Sequence, residues 1–376
     1  MPRATLGERI AMLDPLTSAA LEAGKPTLRL AGVAGRGSPL TARIAASALA
    51  LAVPCIAHAH HSVGVFYDAA SSSELTGTIT EIAWVNPHIR FTLESVDVGG
   101  APVVWAIESG SVNMLERNGI RRDQLAVGSE VVVVGRPSRL GRQAVYATSI
   151  RTPEGGTVAL QGSFGESEAA SAGRLASPQP TAGSGRDAFF RVWTKGRAYG
   201  DPANDSPTGL ALPYTPAALA AQARFDPLTD DTALACIPQG MPGIMDNPFP
   251  IELVARDGNI LLRAEEWDIE RTIHLTDAAD PAAQPATPLG YSVGRWDGET
   301  LVVETTRIDW PYFDDTGTPQ SAAVETLERF SLSAGGARLD YTITVTDPET
   351  FIEPVTLDGY WVWVPGERIK PYNCTR

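Results

Sequence analysis

Val103-Val104-Trp105-Ala106-Ile107-Glu108-Ser109-Gly110-Ser111-Val112-Asn113-Met114-Leu115-Glu116-Arg117-Asn118-Gly119 contains one strand followed by one short helix. Val103–Glu108 is apolar and rich in strand formers. Val112–Arg117 has helical spacing, and Asn118-Gly119 is the kind of pair that ends a helix in a left-handed turn. Upstream, Leu75–Trp84 and His88–Val96 read as two strands on either side of Asn86-Pro87. Downstream, Val131–Gly135 and Ala144–Ile150 add two more. A helix between the third and fourth of five strands is the order of an OB-type barrel. Strands joined by short turns argue against a doubly wound fold.

The rest of the chain is also all-β in pattern. Ile251–Arg256 and Asn259–Glu265 flank Asp257-Gly258, and Ser292–Trp296 and Thr300–Thr305 flank Asp297-Gly298. Glu325–Leu332 and Arg338–Thr346 flank Ala334-Gly335-Gly336, and Val355–Val364 supplies a last strand. Asp-Gly between alternating runs is a strong hairpin signal. These hairpins predict a larger antiparallel meander that forms a barrel or a sandwich, because isolated hairpins are not stable alone. Thr215-Pro216 starts a short Ala-rich helix to Phe225, with proline at its first position. Residues 162–187 are rich in Gly, Ser, Ala and Pro and read as a flexible stretch. The expected division is an export signal over 1–59, an OB-like domain over 60–155, a linker over 156–189 and an antiparallel β domain over 190–376.

Arg36 and Arg43, the apolar run Ile44 to Ile56 and Ala57-His58-Ala59 have the three parts of an export signal, ending in a small-x-small cleavage site. The residues ahead of Arg36 are unusual for a signal and suggest a start codon placed too far upstream. No later stretch reaches the ~18 apolar residues of a membrane span. The expected location is therefore the periplasm or the medium. Six Lys or Arg and three Asp or Glu lie in residues 1–59, leaving 24 basic against 41 acidic, a balance of −17 over 317 residues. So acidic a surface argues against nucleic acid or anionic lipid as a partner. Envelope proteins and small molecules remain. Cys236 and Cys374 survive cleavage, and an even count in an exported chain favours a disulfide between them over two buried thiols.

Two groups of motifs carry resemblances. His60-His61-Ser62, Gly77-Thr78-Ile79, Trp84-Val85-Asn86-Pro87-His88, Trp105-Ala106-Ile107-Glu108 and Gly135-Arg136-Pro137 resemble a domain family of unknown function from exported bacterial proteins. Cys236-x-Pro238-x-Gly240-x-Pro242, Gly290-Tyr291-Ser292-Val293-Gly294-Arg295-Trp296, Leu301-Val302-Val303, Glu328-Arg329-Phe330, Asp347-Pro348 and Cys374 resemble a second uncharacterised exported β family. The chain departs from that second pattern at Asp277-Ala278-Ala279-Asp280-Pro281, where relatives tend to read Asp-Gly-Arg-x-His. Neither resemblance implies an established activity.

Histidine supplies the one constellation that suggests chemistry. Cleavage after Ala59 would make His60 the first residue, with a free amine and an imidazole together. An amine of pKa about 8 and imidazoles of about 6.5 can bind Cu(II) near neutral pH. His60, His61 and His88 are the candidate metal ligands. Glu81 and Glu108 are candidates to orient a ligand, and Trp84 and Trp105 to wall the site. Cleavage after Ala57 would instead expose His58-Ala59-His60, a scavenging rather than a catalytic start. The alternative to any metal is a solvated leader plus a strand histidine. Nothing else indicates an enzyme, and catalysis, if present, would be copper-dependent redox chemistry. Gly290-Tyr291-Ser292-Val293-Gly294 matches a nucleophile elbow in letters, but no histidine follows it. Two alternatives remain for the second domain. It could be a barrel holding a small apolar ligand, with Trp296, Trp310, Trp361 and Trp363 round its mouth and Glu328-Arg329, Arg295, Asp314-Asp315 and Glu265-Glu266 as a polar floor, against the plainer reading that the aromatics are core and the charges face solvent or pair with a neighbouring strand. It could equally be a non-catalytic interaction protein.

Overall fold

The computed structural model describes residues 63–117, 119–152, 156–160, 183–197, 212–227, 229–275 and 278–375. After a single turn, α1 (Val63–Phe66), the first barrel is built from β1 (Ser73–Ala83), β2 (Arg90–Val96), β3 (Pro102–Glu108), β4 (Glu130–Pro137) and β5 (Ala144–Arg151). Successive side chains point to opposite faces of each strand, and Ile79, Phe91, Leu93, Ile107, Val131, Val133 and Val145 are the ones that fall inside. Antiparallel pairing runs β3-β2-β1-β4-β5, and a parallel β3–β5 contact closes the barrel in the OB arrangement. Gly135 makes the tight β4–β5 passage possible: a Cβ there would lie 2.2 Å from the Tyr146 carbonyl oxygen. A bulge interrupts the β4–β5 register at the same point.

Helix α2 (Val112–Arg117) lies between β3 and β4 as the sequence predicts. The Ser111 hydroxyl caps it by accepting the Met114 N–H at 3.1 Å. At its other end Gly119 takes a left-handed φ of 76°. Leu115 is fully buried in the barrel core, a burial that stabilises by about 2 kcal/mol. The folded part continues beyond residue 155: β6 (Thr157–Ala159) pairs with β5, and Leu160 is buried. Phe189, at the far end of the expected linker, is buried in the second core. Residues 161–182 lie outside the described residues, as do 1–62.

The second body is a closed nine-stranded barrel, which settles the choice between barrel and sandwich. Its strands are β7 (Val192–Arg197), β8 (Ile251–Arg256), β9 (Asn259–Ala264), β10 (Ile269–His274) and β11 (Tyr291–Asp297). They continue with β12 (Thr300–Thr306), β13 (Glu325–Leu332), β14 (Arg338–Thr346) and β15 (Val355–Val362). β15 pairs with β7 to close the ring, and only β10–β11 is parallel. The three expected hairpins are present; in the first, Asp257 and Gly258 both have positive φ, as a primed turn requires. Thr215 caps α3 (Pro216–Gln222) by accepting the Ala218 N–H. Strands β7 and β10 do not follow from the hydrophobic pattern. Each sends a charged side chain inward, Lys195 and Arg271 respectively.

Arg271 anchors a polar network across five successive strands. Its guanidinium donates to Ser292 Oγ (2.9 Å), Thr305 Oγ1 (2.7 Å) and both oxygens of Glu328, which also accepts from the Tyr341 hydroxyl at 2.9 Å. Ser292 is therefore a buried strand residue bonded to arginine, and its flanks are strand rather than strand–turn–helix. Trp361 and Trp310 lie in the core rather than at a mouth, and Trp296 and Trp363 pack against it partly buried.

A carboxylate joins the two barrels. Glu265 is fully buried and accepts from Arg117, from Asn113 Nδ2 (3.0 Å) and from the Lys370 backbone N–H (2.8 Å). The C-terminal tail then runs back to the first barrel, where the Thr375 N–H meets the Asn86 carbonyl at 3.1 Å. A Cys236–Cys374 disulfide fastens that tail, with Cα atoms 5.9 Å apart.

Candidate metal centre at His88

His88 lies two residues before β2, in the turn after Pro87 rather than in the strand itself. Its position is fixed on both sides. Asn86 accepts the Val112 N–H on Oδ1 (2.9 Å) and donates to Asn113 and to the Tyr372 carbonyl. Ile89 is fully buried, and its backbone exchanges hydrogen bonds with Gly110 (3.1 Å) and Ser109 (3.0 Å). That pairing sets the imidazole against the end of β3. Nδ1 lies 2.8 Å from the Ser109 carbonyl oxygen and 3.5 Å from Glu108 Oε1. A carbonyl only accepts, so Nδ1 carries the proton and Nε2 of the neutral ring carries the lone pair.

Glu108 is the centre of the cluster, its side chain 8 % exposed. Closure of the barrel pairs it with Tyr146 across β3–β5. Tyr67 donates its phenol to Glu108 Oε2 at 2.9 Å. Burial, and then the Glu108 charge, push the phenol pKa of both Tyr67 and Tyr146 well above the usual range, so both stay protonated. Burial lowers the Arg90 pKa, an effect that the Glu108 charge opposes.

The chain just ahead of β1 is clamped beside this cluster. The Tyr67 N–H bonds the Val63 carbonyl at 2.9 Å, the Asp68 N–H bonds Pro137 (2.9 Å), and the Arg139 N–H bonds Phe66 (2.8 Å). Phe66, Tyr67 and Tyr146 form a small buried apolar group against which Val63 packs. The rings of His88 and Tyr146 meet edge to face at 6.1 Å.

Of the residues singled out from sequence, the structure brings together His88 and Glu108. His60 and His61 lie outside the described residues. Glu81 is exposed on β1, where the Thr92 hydroxyl approaches it at 3.5 Å. Trp84 and Trp105 are partly buried against the first barrel's core, and the aromatic neighbour of the imidazole is Tyr146 instead. Sequence reasoning missed Tyr67 and Tyr146. The available signal was the position of Tyr67, six residues after His61 and ahead of the first strand. Among the described residues no three His, Cys, Asp or Glu side chains converge to hold a metal, and no helix is long and apolar enough to cross a membrane.

No curated protein and no solved structure matches the chain. Residues 48–146 match the model of a family described as a family of unknown function (DUF6152), a span that takes in α1, His88, Glu108 and Tyr146.

Proposed function

We propose that this is an exported, periplasmic protein that binds one Cu(II) through its processed N-terminus. The His60 amine and imidazole join His88 Nε2 as ligands, with His61 accessory. The observation that carries this reading is the hydrogen bond from His88 Nδ1 to the Ser109 carbonyl, with Glu108 behind it. Metal-ligating histidines are held in this way, through the ring nitrogen that does not face the metal. Chain length supports it as well. Val63 packs on the cluster containing Tyr146, and His60 precedes it by three residues, a reach of at most about 11 Å. The resemblance of residues 236–374 to a second exported family fits the same compartment.

A bound Cu(II) would supply Lewis acidity or one-electron chemistry. The chain's part is to fix the His88 tautomer, to hold the leader close and to keep Tyr67 protonated as a donor to Glu108. Copper titration of correctly processed protein tests this. His88→Ala is expected to weaken binding at least tenfold, and His274→Ala, in β10 of the other barrel, to leave it unchanged. Equal binding by wild type and His88→Ala would remove the site.

A further inference from the structure

Beyond β15 the described residues form no further strand or helix, and side-chain contacts hold the tail instead. Tyr372 is 1 % exposed, with its ring 5.2 Å from those of Phe249 and Trp267, and its N–H donates to Asp268 Oδ1 at 2.9 Å. Burial of so large a ring fixes that residue. Residues 373–375 lack such an anchor. Asn373 and Thr375 are exposed, and Cys374 is half-buried. The Asn373 N–H approaches Asp268 Oδ2 at 3.4 Å. Cys374 pairs with Asn86 in a one-residue parallel bridge, where the Thr375 N–H donates to the Asn86 carbonyl at 3.1 Å. Ordering three residues costs more entropy than so few hydrogen bonds return. The bond from Cys374 to Cys236 therefore decides whether this segment stays in place.

Asn86 is what the segment touches, and Asn86 is a joint. Its side chain donates to the Tyr372 carbonyl and to Asn113 and accepts the Val112 N–H, so the tail, α2 and the turn before β2 meet on one buried residue. His88 is two positions further on. Residues 373–375 complete the joint from outside by occupying the Asn86 carbonyl. With them gone, that carbonyl faces water and the turn loses one of its supports. Cys236 follows a short 3-10 turn (Thr232–Ala235) in a left-handed conformation, φ 53°, and is half-buried like Cys374. Neither half of the disulfide lies in a core, so a small reductant can reach it.

We propose that the Cys236–Cys374 disulfide is a redox latch on the turn that carries His88: its reduction frees residues 373–375 from Asn86 and loosens that turn. A dithiol supplies the electrons. One of its thiolates attacks a sulfur of the disulfide, which breaks the S–S bond and forms a mixed disulfide. Its second thiolate then displaces the protein sulfur. Two electrons pass to Cys236 and Cys374, which take the two protons the dithiol gives up, and the reductant leaves as its own disulfide. The consequence for metal rests on the copper reading given above: a His88 on a looser turn binds Cu(II) more weakly. Opening of the turn itself does not depend on that reading.

Hydrogen exchange read by mass spectrometry tests the latch in the processed protein without metal. Oxidised wild type is compared with the same protein reduced by dithiothreitol, and with Cys236→Ser/Cys374→Ser, which has no thiol once Cys55 leaves with the leader. Exchange in peptides covering residues 84–90 and 366–376 should quicken by about tenfold in both opened forms, while peptides from β8–β9 and β13–β14 keep the wild-type rate. Cu(II) affinity of the double variant should fall by about fivefold, the low end of ordinary coupling between sites. Unchanged exchange over residues 84–90 overturns the latch. Faster exchange throughout the second barrel overturns it too, because the disulfide is then a general staple. Equal copper affinity in oxidised wild type and double variant uncouples the latch from His88 and also defeats it. Local opening in a wild type that binds no copper keeps the latch and removes the copper reading instead.

Discussion

Tyr67 and Glu108 illustrate how the site depends on single hydrogen bonds. Glu108 is nearly buried, and the Tyr67 phenol is one of the groups that stabilise its carboxylate. Tyr67→Phe keeps the ring and its packing on Tyr146 but removes that donor. A loss of about 1–3 kcal/mol in urea unfolding is expected. Glu108→Gln keeps the volume and weakens the hold on His88, and copper affinity should fall by about 10–100-fold while His88 remains in place. Unchanged stability in the first variant together with unchanged affinity in the second would mean that this cluster does not serve the imidazole. His88 and Glu108 were legible in the sequence because they flank strands whose pairing is predictable. Tyr146 was not: its approach to Glu108 arises only when β3 and β5 meet to close the barrel. Trp84 and Trp105 looked like walls, but apolar rings beside an empty core face pack there first.

Strand by strand, the difference between legible and hidden structure has one cause. β8–β9, β11–β12 and β13–β14 are apolar runs that meet at Gly-containing turns, so pattern and turn chemistry agree. In β7 and β10 the inward positions include Lys195 and Arg271, which break the apolar alternation. Their compensation is distant: Glu328 lies 57 residues beyond Arg271, and Met245 lies 50 residues beyond Lys195. A pattern reader sees a charge where a core residue belongs and cannot see its partner. Helix α2 was recognised, yet its role as the anchor for Glu265 was equally hidden, since Arg117 and Glu265 are 148 residues apart. Glu265→Ala removes the buried carboxylate that Arg117 and Asn113 share, leaving Glu367 as the remaining counter-ion of Arg117, and should cost about 1–3 kcal/mol. Glu304→Ala breaks an exposed pair with Arg295 and should cost under about 1 kcal/mol. Comparable losses in thermal unfolding of the two variants would show that the joint between the barrels carries no special weight.

For the whole molecule, the buried amine of Lys195 and the partly buried acid of Glu266, each shifted chiefly by burial, set a direction in which stability changes with pH. Glu266 is raised from 4.5 to about 8, so across that interval the folded state binds more protons than the unfolded chain. Its contribution therefore falls as pH rises from 4.5 to about 8. Lys195 is lowered from 10.5 to about 8, so the unfolded chain holds more protons over that interval and stability rises with pH there. Glu266→Gln should flatten the fall below pH 8, as followed by urea unfolding at a series of pH values; a slope identical to wild type would contradict the assignment. The proposed copper binding depends on a free His60 amine. The most direct measurement is electron paramagnetic resonance of Cu(II)-loaded protein purified after natural processing, beside the same chain carrying an N-terminal extension. The processed protein should show hyperfine coupling to several nitrogens, reduced by His88→Ala and by the extension. Spectra that are identical in all three, or that show only free copper, would contradict it.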